Sequence, residues 1–434
     1  MKIGARLAVT MTDQGVIRNP LIEVAGERIV RVQAEGADEK PDLYVDGIII
    51  PGLISSHTHL HGLVAYGHPV PAPAGFWPFL REYWWPYVED VLRTDDVASL
   101  AAYAAILHLK NGYTCFCDVM EAPYAEPGFM LAEAEAVAAT GARAFVSNEA
   151  TERAGPEIAR KLLAENERIL SLDGLVRGVM SVHTTFSCSS PYIQQAKEIA
   201  RCHGAIFHLH VSEGTYHVED TLQRFGQRPV PYLRDLGVLD EYTLASQCVH
   251  LTDEEIAIMA ETGTRISHNP VSNMEIGTGA APLARMLKAG AEVSLGDDGF
   301  IRAFDPFVNL STTLLLHSLI SPGEVSAADV FALHTTSAAR ALHLDAGRLA
   351  PGALADLVIL RDHSPSPLLP ENVIYHLVVG ALSSDVSHVM VNGRMVVADG
   401  RVTTADEEQA RARAAATISR LWEGARRGRA GGGV

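Results

Sequence analysis

Two imidazoles delivered side by side at the end of a strand are half of a metal site, and residues 57–59 read His-Thr-His. In an extended strand, side chains two apart point to one face. The run Pro51-Gly52-Leu53-Ile54-Ser55-Ser56 reads as a turn and a short strand, so His57 and His59 would emerge together where that strand stops. Alone, the pattern fits a His-rich loop equally well, with His61 as its third member. Two later stretches supply what it lacks. Phe207-His208-Leu209-His210-Val211-Ser212-Glu213 ends an apolar run with His210 and, just beyond, Glu213. Leu295-Gly296-Asp297-Asp298-Gly299 ends another with two carboxylates. Three imidazoles and one carboxylate make a donor set for a single divalent ion, with a position left open for water.

Donors so far apart in sequence converge only if the strands that end in them lie side by side. Eight candidate strands are spaced along the chain, at about 53–59, 113–120, 142–148, 177–184, 204–211, 243–250, 263–268 and 290–297. Between most of them lie Ala- and Leu-rich segments of helical period, such as 95–110, 156–172 and 191–203. The expected fold is therefore α/β, a (β/α)8 TIM-type barrel over residues 51–345 with its site where the strands end. A doubly wound open sheet is the alternative. Residues 1–50 and 346–434 have strand character of their own, the latter ending in a helical tail. Together they are expected to build one small β-sandwich domain from both ends of the chain.

Composition narrows the partners. With 52 acidic against 35 basic residues the formal charge is −17, which repels phosphate backbones and anionic membrane surfaces. Nucleic acid is therefore not an expected partner, and a small neutral or cationic substrate is. No apolar stretch approaches the roughly 20 residues needed to span a bilayer. Five cysteines, an odd number at irregular spacings, argue against a disulfide framework and for a reducing cytoplasm. Cys115 and Cys117 could suggest metal binding, but they sit inside an apolar run and read as a buried structural pair.

The assembled motifs resemble the amidohydrolase superfamily, in particular its deaminase and chlorohydrolase branch, over nearly the full length. They are Pro51-Gly52-Leu53-Ile54 leading into His57-Thr58-His59, His210-Val211-Ser212-Glu213, Ser267-His268-Asn269-Pro270, Leu295-Gly296-Asp297-Asp298-Gly299 and Pro351-Gly352 with Ala355-Asp356-Leu357. That branch includes S-adenosylhomocysteine and thioadenosine deaminases, guanine-type deaminases and triazine hydrolases. The resemblance implies that His57, His59, His210 and Asp298 hold one divalent metal, zinc first and iron as the alternative. It implies that Glu213 shuttles protons, with Asp298 as base toward the water, and that His183 hydrogen-bonds the substrate ring. A core histidine is the other reading of His183. Homo-oligomers are common among resembling proteins, and one is expected here.

Two stretches depart from the pattern. Most relatives carry a histidine on the sixth strand where this chain reads Ser246-Gln247-Cys248-Val249-His250. Gln247 can donate and accept hydrogen bonds but cannot carry a charge. Either a neutral donor suffices there, or His250 substitutes across a shifted loop, or activity is reduced. The segment from Tyr66 to Tyr87 holds eight of the chain's 28 aromatics, including Trp84 and Trp85. It reads as a lid whose rings either grip a flat heterocycle or dock the lid on the barrel. Nucleoside deaminases of this branch place a ribose-gripping glutamate after the lid; here the spacing favours Asp90 over Glu89, which points away from nucleosides and toward a compact free ring. The function expected is hydrolytic deamination of an exocyclic amino group on a purine, pterin or related heterocycle. Hydrolytic dechlorination of a triazine-like ring and a metal-binding barrel with weak or no catalysis are the alternatives.

Overall fold

The computed structural model describes residues 1–34 and 39–431. Eight parallel strand positions follow one another in chain order: Leu53–Thr58, Tyr113–Met120, Arg143–Ala150, a fourth broken into Val176–Gly178 and Met180–Val182, Phe207–Val211, Thr243–Gln247, Arg265–His268 and Glu292–Leu295. A parallel bridge between Thr58 and Asp298 brings the last strand back to the first. The strands are short and apolar because both of their faces are covered, and every residue of Tyr113–Met120 is buried. Helices such as Thr94–Asn111, Pro156–Ile169 and Ser190–His203 form the outer layer. Gly112 and Gly204 end two of them with φ of +102° and +62°, a conformation that glycine adopts without strain. The open-sheet alternative is thereby excluded, and Cys115 and Cys117 lie in the apolar core.

Strands from the two chain ends share one nine-stranded sheet. Leu43–Pro51 pairs in parallel with Lys2–Val9 on one side and antiparallel with Leu357–Arg361 on the other. The far strand, Arg28–Ala34, meets residues 352–355 through bonds such as Ile29 N–H to Ala353 O at 3.0 Å, so the sheet curls back on itself. Its inner face holds Ile3, Ile22, Ile49, Leu357, Ile359 and Met390, drawn from both termini. The tail helix Glu407–Gly431 lies against Thr94–Asn111 and reaches the loop beyond His61, where Trp422 Nε1 donates to Val64 O at 2.8 Å. No helix among the described residues is long and apolar enough to cross a membrane.

One buried ion pair ties the barrel to this sheet. Arg143 opens the third barrel strand, and its Nε lies 2.9 Å from Asp356 Oδ2, with Asn392 Oδ1 2.9 Å from its Nη2. Arg143→Ala would strand the Asp356 carboxylate in the interior. The expected cost is about 3–5 kcal/mol of stability, read as a lower urea midpoint.

Candidate metal centre and substrate pocket

The strand ends bring four donors to one point. His57 Nε2 lies 3.0 Å from Asp298 Oδ1, His59 Nε2 lies 3.2 Å from the same oxygen, and His210 Nε2 lies 3.3 Å from His57 Nε2. All donor atoms fall within 4.8 Å of one another, and all four residues are buried. Zinc–nitrogen bonds of about 2.0–2.1 Å give tetrahedral edges of about 3.3 Å, so an ion of that size fits the gap. His59 Nδ1 donates to Val119 O at 2.6 Å, which leaves Nε2 as the ligating nitrogen. The backbone bends to present these groups: Ser212, Gln247 and Asp298 have φ of +50°, +78° and +57°. Such strain in non-glycine residues concentrates at functional sites. An added Cβ at Gly62 would sit 1.8 Å from Gly299 O, so glycine there lets the loop after His59 pack on the loop after Asp298.

Gln247 acts on the carboxylate. Its Nε2 donates to Asp298 Oδ2 at 3.0 Å, and its Oε1 accepts from Asn273 Nδ2 at 2.7 Å. The amide therefore clamps Asp298 by the oxygen that faces away from His57. His250 does not take its place; the ring donates through Nε2 to Thr278 O at 2.8 Å, outside the cavity over the ligands. Gln247→Ala should weaken metal binding or kcat by about 10–100-fold, measured by chelator competition and steady-state rates.

Beside the donors lies a narrow cavity of about 40 Å³ that opens past Phe79, Ile276 and Phe300 into a mouth of about 820 Å³. Glu213, His183 and Trp84 line the inner part. Burial, reinforced by the Asp298 charge, pushes the Glu213 carboxyl well above the ordinary range, so it keeps a proton at higher pH than a free glutamate. Burial lowers His183 to about 3, so its ring is neutral. Trp84 Nε1 donates to Glu121 Oε2 at 2.6 Å, and its ring lies at the cavity wall. Trp85 sits behind it, edge-on to His183 at 6.2 Å and under the Arg153 guanidinium at 4.6 Å, outside the cavity lining. Both tryptophans belong to a ten-residue π-helix, Leu80–Glu89, that carries the lid.

A model of the amidohydrolase family matches residues 48–396. The chain belongs to that family. Among curated relatives, this amidohydrolase is 33% identical to a 5'-deoxyadenosine deaminase of Methanothermobacter thermautotrophicus, over 91% of this chain and 93% of the relative. It is 30% identical to a 5-methylthioadenosine/S-adenosylhomocysteine deaminase of Thermoanaerobacter pseudethanolicus, over 92% of this chain and 93% of the relative. In fold it is similar to an adenosine deaminase of Xanthomonas campestris solved with bound zinc, with a TM-score of 0.85, 22% identity and coverage of 97% and 98% of the two chains. It is also similar to an atrazine chlorohydrolase of Arthrobacter aurescens complexed with zinc, with a TM-score of 0.83, 21% identity and coverage of 96% and 100%.

Three further buried carboxyls lie around the amidohydrolase site, and of these Glu121 lines the inner cavity. Glu121 follows the second barrel strand, Glu149 lies on the third, and Glu89 closes the lid helix; all three are buried. Glu89, not Asp90, is the inward carboxyl, while both accept from Arg153 Nη2. The sequence favours Asp90 over Glu89 at this place in the lid, and of the two it is Glu89 that is buried. Burial pushes the Glu89 and Glu149 carboxyls well up, whereas His59, a hydrogen bond from Glu149, and His61 hold Glu121 low against the same burial. One signal pointed to Glu121 and Glu149: each is a carboxylate at the C-terminal end of an apolar strand, the position that gave Asp298.

The remaining histidines and Asp297 take supporting places. His208 stacks 4.9 Å beneath His57 and meets Ser181 Oγ at 2.9 Å. Asp297 turns the other way, toward His108 Nε2 at 2.9 Å. His268 is paired with His317 Nε2 at 3.1 Å.

Proposed function

We propose that this amidohydrolase is a metal-dependent aminohydrolase that replaces an exocyclic amino group of a nitrogen heterocycle by oxygen and releases ammonia. One juxtaposition carries the reading: a proton-bearing carboxyl, Glu213, shares a narrow cavity with three imidazoles and Asp298. His57, His59, His210 and Asp298 would hold the ion. When bound, a divalent metal supplies a water whose pKa is lowered from about 15.7 toward 7. Asp298 is placed to accept a proton from the attacking water, and Glu213 to protonate first the ring nitrogen and then the departing amine. Phe79 and Phe300 narrow the passage and keep bulk water out of the inner cavity.

The related deaminases support a purine as the ring. The same reading takes zinc as the ion, a two-layer sandwich as the form of the curled sheet, and domain limits at 1–50, 51–345 and 346–434. It places the enzyme in the cytoplasm as a homo-oligomer. Ammonia release is the test, with metal-loaded and chelator-stripped protein on aminopurines, 5'-deoxyadenosine, pterins, aminopyrimidines and a chlorotriazine. Metal-dependent ammonia from at least one amino ring is expected. Chloride from the triazine without ammonia from any amino ring would replace the reading by dechlorination, and no turnover of any ring would leave only a metal-binding barrel.

A further inference from the structure

We propose that the C-terminal helix is a working part of the substrate mouth: Trp422 pins the loop that forms one of its walls, and so sets how tightly the enzyme holds whatever substituent a ring carries. The inference rests on the deamination reading and assigns that site a positioning residue far along the chain from the ligands.

A substituent has only the mouth to occupy. Over the four donors the cavity holds about 40 Å³, and it opens into about 820 Å³. A ring seated with its amino group toward Glu213 therefore points anything attached to its far side into the mouth. One wall of the mouth consists of Gly62, Ala65, Tyr66, Gly67, His68 and Val70, on the segment that follows His59 and His61. Leu60–Ala65 is a short 3₁₀ helix, and residues 66–75 belong to no helix or strand. A wall of that kind takes the shape of whatever it rests on.

It rests on the tail. Trp422 Nε1 donates to Val64 O at 2.8 Å, and Val64 is buried, where a carbonyl that loses its donor bears the cost of desolvation. The indole meets the His68 ring edge-on at 5.8 Å, and a Cβ at Gly67 would lie 3.6 Å from its Cη2. His68 carries the contact onward. Its ring lies 5.4 Å from Tyr83 and 5.7 Å from Tyr87 on the lid helix, and its Nδ1 accepts from Val70 N–H at 3.1 Å. Tyr83 donates through its hydroxyl to Ala65 O at 3.4 Å. The loop is thus held between Trp422 and the lid. Trp422 itself lines neither the mouth nor the inner cavity, so it acts on substrate only through this loop.

The tail can hold the loop because it is itself held. Ala414 and Leu421 are buried, Thr417 Oγ1 lies 2.9 Å from Ser99 Oγ, and Arg420 pairs with Asp96, both partners standing on the barrel helix Thr94–Asn111. At the start of the tail helix, Lys110 Nζ donates to Glu407 Oε1 at 2.6 Å. A wall tied to the barrel by this route meets a substituent already ordered, so less order has to be imposed on binding. The reacting ring gains little from it, since Glu213, His183 and the donors stand at the strand ends.

Two measurements on the whole, metal-loaded chain test this. In Trp422→Ala, amide hydrogen exchange across residues 62–70 should speed up by about tenfold or more, while that of the strands Tyr113–Met120 and Phe207–Val211 stays as in the unaltered protein. Unchanged exchange at 62–70, or a rise shared by the strands, overturns the proposal. In steady state, KM, or the inhibition constant for a compound that is not turned over, should rise on the order of tenfold for 5'-deoxyadenosine and less than about twofold for adenine, with kcat and metal content unchanged. Trp422→Phe keeps a ring against His68 but has no N–H for Val64, so it should fall between, and it carries the same test if the alanine variant does not fold. Equal rises for both compounds, or a lowered thermal midpoint with both constants unmoved, make Trp422 a residue of the fold alone and overturn the proposal. Absence of ammonia from every ring overturns the deamination reading, and the hold of Trp422 on the loop is then decided by hydrogen exchange.

Discussion

Asp298→Ala should abolish turnover, by at least about 1,000-fold in kcat/KM, and should release the metal with it. Asp298 serves three partners at once. Its Oδ1 faces both His57 Nε2 and His59 Nε2, at 3.0 and 3.2 Å, and its Oδ2 receives Gln247 Nε2–H at 3.0 Å. Alanine removes the only carboxylate among the four donors and leaves the Gln247 amide donor buried without an acceptor. Metal analysis after dialysis should fall from one ion per chain toward zero, in parallel with activity. Metal retained at full stoichiometry with activity lost would mean that Asp298 works only as a base. Activity retained would remove the site from the reaction altogether.

The effect on stability should be smaller than the effect on function. The strained φ of +57° at Asp298 costs energy in any non-glycine residue, and a bound metal would offset it. In the stripped protein, alanine at 298 loses the hydrogen bonds to His57, His59 and Gln247 but no metal contribution. The thermal midpoint of the variant should therefore match that of chelated wild-type protein more closely than that of loaded wild type.

What could be read from the chain follows the physics of parallel strands. A strand covered on both faces is a short apolar run, and a functional side chain at its end breaks that run abruptly. His57, His59, His210 and Asp298 stand out for that reason, and their strands are observed within a few residues of the expected limits. The same rule also picks out Glu121 and Glu149, carboxylates at the ends of the second and third apolar strands. Other features could not be found by such a rule. The reach of Gln247 to Asp298 depends on left-handed backbone at Gln247, +78°, which no residue type announces. The choice between Glu89 and Asp90 depends on the pitch of the lid, and a π-turn adds a residue per turn relative to the counting appropriate to an α-helix. Likewise His250 looks interchangeable with Gln247 in sequence, yet the turn after Cys248 carries its ring to Thr278.

Glu213→Gln should cost about 100- to 10,000-fold in kcat while metal content stays at one ion per chain, which separates it from the Asp298 variant. Glutamine keeps the shape and can still donate a hydrogen bond, but it cannot hand over a proton. The pH profile provides the sharper test. Burial and the Asp298 charge raise the Glu213 pKa, so the proton-bearing form persists below that raised value and is lost as pH climbs through it. If that form protonates the ring nitrogen, kcat/KM falls on the alkaline side with an apparent pKa above the ordinary carboxylate range. Glu213→Gln should erase that limb and leave the small residual rate flat across it. A limb that survives unchanged in the glutamine variant belongs to another group, and Glu213 would then be a binding residue rather than the proton carrier. Rings that bind already protonated should lose less in this variant than neutral ones, since they bring the proton that Glu213 would otherwise deliver.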